Sequence, residues 1–240
     1  MLRSRIIPCL LIHKKGLVKT VKFKEPKYVG DPINAVKIFN EKEVDELIVL
    51  DIDATKENRG PNLKMIKNIA DECRMPLCYG GGITTVEQAV KIIGLGVEKI
   101  ALSYSALNDI ELCQQIGDII GNQSVVVVVD VRKKKLFGGY DIYTHNGTIK
   151  SKWNLFDYIA ELEGIGVGEI VINSIDNEFG FYFVHSFYFE CVSEDNILAT
   201  SNYGTDFTSA IYSGHIIGTQ FHPEKSHGNG VLLFKNFAQL

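Results

Sequence analysis

Ile48-Val-Leu-Asp-Ile-Asp53 is an apolar run that ends in carboxylates, and Ile170-Val-Ile-Asn-Ser-Ile-Asp176 repeats its form later in the chain. Short Ile/Val-rich runs of this kind suit strands buried on both faces, which is the environment of a parallel sheet covered by helices. Working outward, similar runs predict strands at Arg5–Leu10, Glu46–Asp51, Leu77–Tyr79, Lys99–Ser103, Ser124–Asp130 and Glu169–Ser174. Helical stretches alternate with them near Pro32–Asn40, Pro61–Cys73, Val86–Gly94, Asp109–Gly117 and Trp153–Gly164. The expectation is an α/β fold, a (βα) barrel of TIM type with about six units.

A faint internal repeat supports that architecture. The first strand, followed by a basic loop rich in Gly, Lys and Thr, corresponds to Val125–Asp130 and its own basic loop. A doubled four-unit half-barrel explains the repeat, but it then requires counterparts of Tyr79-Gly-Gly-Gly-Ile83 and Lys99–Ser103 after Asp176, and these do not follow. From Gly180 the chain reads instead as strands joined by turns without helices, through Phe181–Phe189, Ala199–Gly204 and Ser209–Phe221. The domain expectation is therefore an incomplete barrel portion at 1–178 and a β-rich segment at 179–240.

Composition sets limits on function. With 45% hydrophobic and 22% charged residues the chain can build a packed core. Its net charge of −4 gives no electrostatic case for nucleic acid or an anionic membrane, although Lys14–Lys27 and Arg132–Lys135 are locally basic and suit a small anionic ligand. Val125–Val129 is far shorter than the roughly 20 apolar residues of a membrane helix. The five cysteines stand singly, without paired spacing. They indicate neither a zinc site nor a disulfide framework, and a reducing cytoplasm is the expected compartment. No metal cluster or nucleotide fingerprint appears, so no cofactor is expected.

Ligands of parallel αβ barrels bind at the carboxyl ends of the strands. Asp51 and Asp53, Gly80–Gly82, Ser103 and Tyr104, Asp130 and Arg132, Asn173, Ser174 and Asp176 all fall there. An Asp in such a place is more often a turn or cap residue than a catalyst. Gly80-Gly-Gly82 is more specific: glycines between a strand and a helix let backbone N–H groups approach a phosphate, the competing reading being a tight turn. At the opposite ends Arg5, Glu46, Lys99 and Glu169 each open a strand, and four alternating charges can pair into a ring over the barrel's bottom.

At these residues the sequence resembles a known family. Arg5-Ile-Ile-Pro-Cys-Leu10, Tyr79-Gly-Gly-Gly-Ile83, the segment ending in Asp130 and Glu169–Asp176 are similar to strands of the cyclase subunit of imidazole glycerol phosphate synthase. The resemblance implies an ammonia-dependent lyase that takes a phosphorylated nucleotide substrate, with a glutaminase partner docked at the barrel's bottom. It assigns acid–base catalysis to Asp130 and substrate contact to Lys19. Gly81, Gly82, Ser103 and Tyr104 take a phosphate site, and Asp51, Asn173, Ser174 and Asp176 line the substrate. Arg5, Glu46, Lys99 and Glu169 become the ammonia gate. The family's second catalytic aspartate is replaced by Leu11; with Gly16–Phe23 and Glu57-Asn-Arg-Gly-Pro61, this looks more like a paralogous branch that modifies surface-polysaccharide sugars.

Farther on, Phe183-Val-His-Ser-Phe-Tyr188 and Gly218–Ser226 resemble the end of the glutaminase subunit, a glutamine amidotransferase, in which His222 and Glu224 would be the base and orienting acid of a Cys-His-Glu triad. No cysteine here lies in a Gly-x-Cys-x-Gly elbow, so the dyad is vestigial and glutamine hydrolysis is not expected. Two readings of function result: an ammonia-using barrel enzyme with impaired turnover, or a non-catalytic chimera that retains phosphate binding alone.

Overall fold

The computed structural model describes residues 5–21, 23–134, 139–175, 193–203, 205–213, 216–221 and 226–238. Residue contacts divide the chain into two compact units, Arg5–Asp176 and a second made mainly of Asn177–Leu240.

The first unit begins with β1 (Cys9–His13) and a ribbon of β2 (Gly16–Val21) and β3 (Lys24–Gly30). There follow α1 (Pro32–Glu41), β4 (Leu47–Asp51), α2 (Leu63–Glu72), β5 (Leu77–Gly80), α3 (Val86–Ile93) and β6 (Lys99–Leu102). Next come α4 (Tyr104–Asn108), α5 (Glu111–Ile120), β7 (Val125–Lys133), a second ribbon of β8 (Tyr140–Thr144) and β9 (Ile149–Asn154), α6 (Leu155–Gly164) and β10 (Glu169–Ser174). Strands β1, β4, β5, β6, β7 and β10 pair in that order, all parallel. No β1–β10 ladder occurs among the described residues. Yet Arg5, just before β1, lies 2.7 Å from Glu169, the first residue of β10. The row of parallel strands therefore curls until its first and last members, β1 and β10, approach at their amino ends.

The period-two alternation of a strand explains the layers. Val125, Val127, Val129 and Val131 of β7 pack outward into the main core beneath the helices, together with Leu47, Val49, Leu77, Tyr79, Ile100 and Leu102. Val126, Val128, Ile48, Cys78 and Ala101 point the other way and form a separate inner cluster. Both faces are buried, which is why the runs read as uninterrupted Val and Ile.

Helix starts follow capping chemistry. Asp31 accepts from the N–H groups of Ile33 and Asn34 ahead of Pro32, and Asn154 accepts from those of Phe156 and Asp157. Thr85 and Gln88 form a reciprocal capping box on α3. Thr85→Ala is expected to cost about 1 kcal/mol, read as a lowered urea midpoint with unchanged slope.

Several boundaries differ from the sequence expectations. The first ladder starts at Cys9 instead of Arg5, beyond Pro8, which has no N–H to give. The two basic segments expected as loops are antiparallel ribbons continuing from β1 and β7. Trp153 lies within β9 rather than opening a helix, and α4 was not expected.

In the second unit, β11 (Ile197–Tyr203), β12 (Thr205–Ser213) and β13 (Ile216–Thr219) form an antiparallel sheet. A helix, α7 (His227–Phe237), follows the sheet, beyond the strands expected from the sequence. Phe181–Phe189 lies outside the described residues. No described helix is long and apolar enough to cross a membrane.

Candidate functional site

A cleft of about 450 Å³ opens at the carboxyl ends of the parallel strands. Its walls include Leu11, Asp51, Arg59, Gly80–Gly82, Ser103, Tyr104, Asp130, His145 and Asn173. Alternation places these side chains. Asp130 lies two residues beyond the inner-cluster Val128, and Asn173 lies two beyond Val171, which packs against the same cluster. Ser174, one step out of phase, and Lys19, exposed on β2, are not among the cleft-lining residues.

The carboxylates of this region differ sharply in their company. Asp51 is almost wholly buried and receives a fork from Arg59: Nη1 donates to Oδ2 at 2.7 Å and Nη2 to Oδ1 at 2.9 Å. Asp51 and then Glu57, which accepts from Nε at 2.6 Å, hold the guanidinium well above its usual range. Asp53 lies 2.8 Å from His13 Nδ1 and accepts from the Lys14 backbone N–H at 2.9 Å. Burial pushes its carboxyl up, but the Lys14 N–H and His13 outweigh that and bring it below its ordinary value.

Asp130 has neither kind of support. Burial pushes it up to about 6, and the one opposing influence is Asn173, whose Nδ2 donates to Oδ1 at 2.9 Å. A carboxyl that titrates near neutrality is the type of group general acid–base chemistry uses.

The glycine run is shaped by close contacts. A Cβ on Gly81 would stand 2.5 Å from the Asp51 carbonyl, and one on Gly82 would stand 2.4 Å from the Arg59 carbonyl. The N-terminus of α3 is already capped by Thr85, and Gln88 Oε1 accepts from the Thr84 and Thr85 N–H groups. What the run offers the cleft is therefore the backbone of Gly81 and Gly82, beside Ser103 and Tyr104 at the start of α4, which follows the next strand. His145 also lines the cleft, edge-on to Tyr104 with ring centroids 4.5 Å apart. Sequence reasoning gave no site role to His145 or to Arg59, which it met only within Glu57-Asn-Arg-Gly-Pro61; the Asn146-Gly147 turn after His145 was the available signal.

At the other end of the same inward rows, Arg5, Glu46, Lys99 and Glu169 form a closed cycle. Arg5 Nη1 and Lys99 Nζ donate to Glu46 Oε2 at 2.9 and 2.7 Å. Arg5 Nη2 and Lys99 Nζ donate to Glu169 Oε1 at 2.7 and 2.9 Å. Burial pushes Glu169 up, but Lys99 and Arg5 more than reverse it. Glu46 is buried, whereas Arg5 is half exposed. Lys99→Met is expected to cost about 1–3 kcal/mol in urea unfolding: removing one partner of a buried carboxylate is expensive, but solvent at Arg5 screens part of the loss.

The family model described as histidine biosynthesis protein matches residues 5–179. A provisionally named imidazole glycerol phosphate synthase subunit hisF2 of Pseudomonas aeruginosa is 56% identical over 178 residues, covering 74% of this chain and 70% of that protein. The chain belongs to the histidine biosynthesis protein family. A provisionally named subunit hisF3 of Vibrio vulnificus is 56% identical over 179 residues, covering 74% of this chain and 68% of the relative. The imidazole glycerol phosphate synthase subunit HisF of Streptococcus gordonii is 38% identical over 178 residues, covering 74% and 70%. Within the histidine biosynthesis family, then, the barrel portion resembles the HisF cyclase subunit. Asp176, His222 and Glu224 lie outside the described residues. Among the described residues there is no group of three His, Cys, Asp or Glu able to hold a metal.

Proposed function

We propose that the unit Arg5–Asp176 is an ammonia-using cyclase of the imidazole glycerol phosphate synthase type, acting on a phosphorylated nucleotide or sugar. The observation that carries this is Asp130: a carboxyl on the cleft wall, without the basic side chain that pairs with Asp51 or Asp53, pushed up to about 6 by burial. In this reading it takes and returns a proton during ring closure. The substrate phosphate lies against Gly81, Gly82, Ser103 and Tyr104, where backbone N–H groups can approach it. Asp51, with Arg59, forms the wall beside it. Lys19, exposed on β2, reaches substrate only if the ribbon bends over the cleft.

Ammonia enters through the Arg5–Glu46–Lys99–Glu169 ring. Between ring and cleft the inner rows carry Ile48, Cys78, Ala101, Val126 and Val128, an apolar path suited to neutral ammonia rather than ammonium. A glutaminase subunit docked against the ring would supply it. The segment from residue 179, with His222 and Glu224 and no nucleophile elbow, does not hydrolyse glutamine in this proposal.

Leu11 favours the sugar-modifying branch, because the cleft has an apolar side chain where a second catalytic carboxyl would stand. The test is turnover of the imidazole-forming nucleotide with ammonium and no glutamine, with Asp130→Asn as control. Turnover that disappears in the variant supports the cyclase. Silence from folded protein with that nucleotide, and activity with a phosphorylated sugar acceptor, moves the reading to the sugar branch. Silence with both leaves the phosphate-binding chimera.

A further inference from the structure

Asn173 and Asp130 are direct partners in the β7–β10 register, so two parallel strands hold their backbones opposite each other. The contact between their side chains is therefore set by the sheet and not by a mobile loop. We infer that Asn173 is the positioning residue of Asp130: its amide fixes one carboxylate oxygen and leaves the other to the cleft. This rests on the reading of Asp130 as the acid–base group and adds the device that lets it work in both protonation states.

The chemistry of the amide carries the argument. An ionised carboxylate only accepts hydrogen bonds, so Asn173 must present Nδ2, as observed at 2.9 Å. A protonated carboxyl needs an acceptor for its O–H, and an amide turned through half a rotation presents Oδ1 at the same place. A hydrocarbon offers neither, and a cation would lock the ionised form. Asn is thus suited to a carboxyl that must cycle. By contrast, Asp51 is fixed by the Arg59 fork and Asp53 by His13 and the Lys14 N–H.

Other groups around Asp130 do not duplicate this role. On β1, Cys9 is solvent-exposed, and its thiol is pushed up to about 12 by desolvation and then by the Asp130 charge, so it adds no second charge here. On β8, Tyr143 is the backbone partner of Asp130, and its ring lies under the Arg132 guanidinium at 4.5 Å. The Asp51–Arg59 pair, Tyr104 and His145 share the cleft walls.

The experiment is carbon-13 NMR titration of aspartate-labelled protein, with the Asp130 carboxyl signal assigned by its absence in Asp130→Asn. The midpoint in the unaltered protein is expected near 6. Asn173→Leu removes the donor without opening space, and should raise the midpoint by about one unit. Asn173→Asp, isosteric, places a second carboxyl in contact and should raise it further. Midpoints unmoved in both variants overturn the inference, and would leave Asn173 as a strand residue that merely touches Asp130. The titration needs no turnover, so it separates the two claims: shifted midpoints in an inactive protein sink the cyclase reading alone. An active cyclase whose Asp130 midpoint ignores both substitutions sinks the positioning role alone.

Discussion

Asp130→Asn is expected to reduce ammonia-dependent turnover by about 10²–10⁴-fold and, at neutral pH, to make the protein more stable. The two effects share one cause. Burial raises the folded-state carboxyl from its ordinary 3.8 to about 6, so the fold prefers this group neutral. Its contribution to stability is then fully present below about pH 4 and is lost as pH rises through 6. Asparagine mimics the neutral form at every pH. The variant should match the unaltered protein near pH 4 and pull ahead through pH 5 and 6. Above that it should level off at a gain of up to about 3 kcal/mol, at about 1.4 kcal/mol per pKa unit. That figure is a ceiling, because one face of the carboxyl meets water in the cleft. Urea unfolding of both proteins at pH 4 and pH 7.5 measures it. Equal stability at both values would show that Asp130 is well solvated, and persistent turnover would remove it from the chemistry.

Much of this fold is legible in the sequence, because its information is local and periodic. Val125–Val129 and the Leu47–Leu50 run announce their strands by nearest-neighbour chemistry, whereas the caps at Asp31, Thr85 and Asn154 that fix the helix starts were not used in the sequence reading. The pairing of Arg5, Glu46, Lys99 and Glu169 was also readable, since a charge at the amino end of each of four strands falls on inward rows wherever the strands are parallel and in register. The ribbons were harder. In Gly16–Gly30 and Tyr140–Asn154 the residues alternate around lysines and left-handed turn positions such as Lys14, Lys15 and Asn146, which read equally well as loop. Only the ladders running on from β1 and β7 decide the matter. At the site, the division of labour among carboxylates was hidden, because Asp51, Asp53 and Asp130 look alike as residues that end strands. What separates them is tertiary: Arg59 returns from eight residues away to one, His13 crosses from another strand to the second, and an uncharged amide meets the third.

Gly82→Ala should be the most damaging of the small substitutions. The residue sits at φ +72°, where a side chain costs about 1–2 kcal/mol. Its new Cβ would also lie 2.4 Å from the Arg59 carbonyl and 2.9 Å from the Ala54 Cβ. Backbone cannot retreat as a side-chain tip can, and crowding of that kind adds about 1–3 kcal/mol. The expected loss is about 2–5 kcal/mol, a large share of the 5–15 kcal/mol typical of a folded domain. Gly94→Ala is the internal comparison. That residue closes α3 in ordinary right-handed conformation, and its added Cβ would meet nothing nearer than 3.4 Å, so the change should be neutral or stabilising by up to about 1 kcal/mol. Urea midpoints of the pair test the contrast, and a mild Gly82→Ala would mean that the Arg59 segment yields. The same contacts alter what the glycine run signifies. Asp51 and Arg59 by themselves require glycine at 81 and 82, so the run is accounted for without a phosphate. Because those chains press so closely, however, the Gly81–Gly82 backbone is held rigidly on the cleft wall, which is the condition under which amide N–H groups bind an anion without first being ordered.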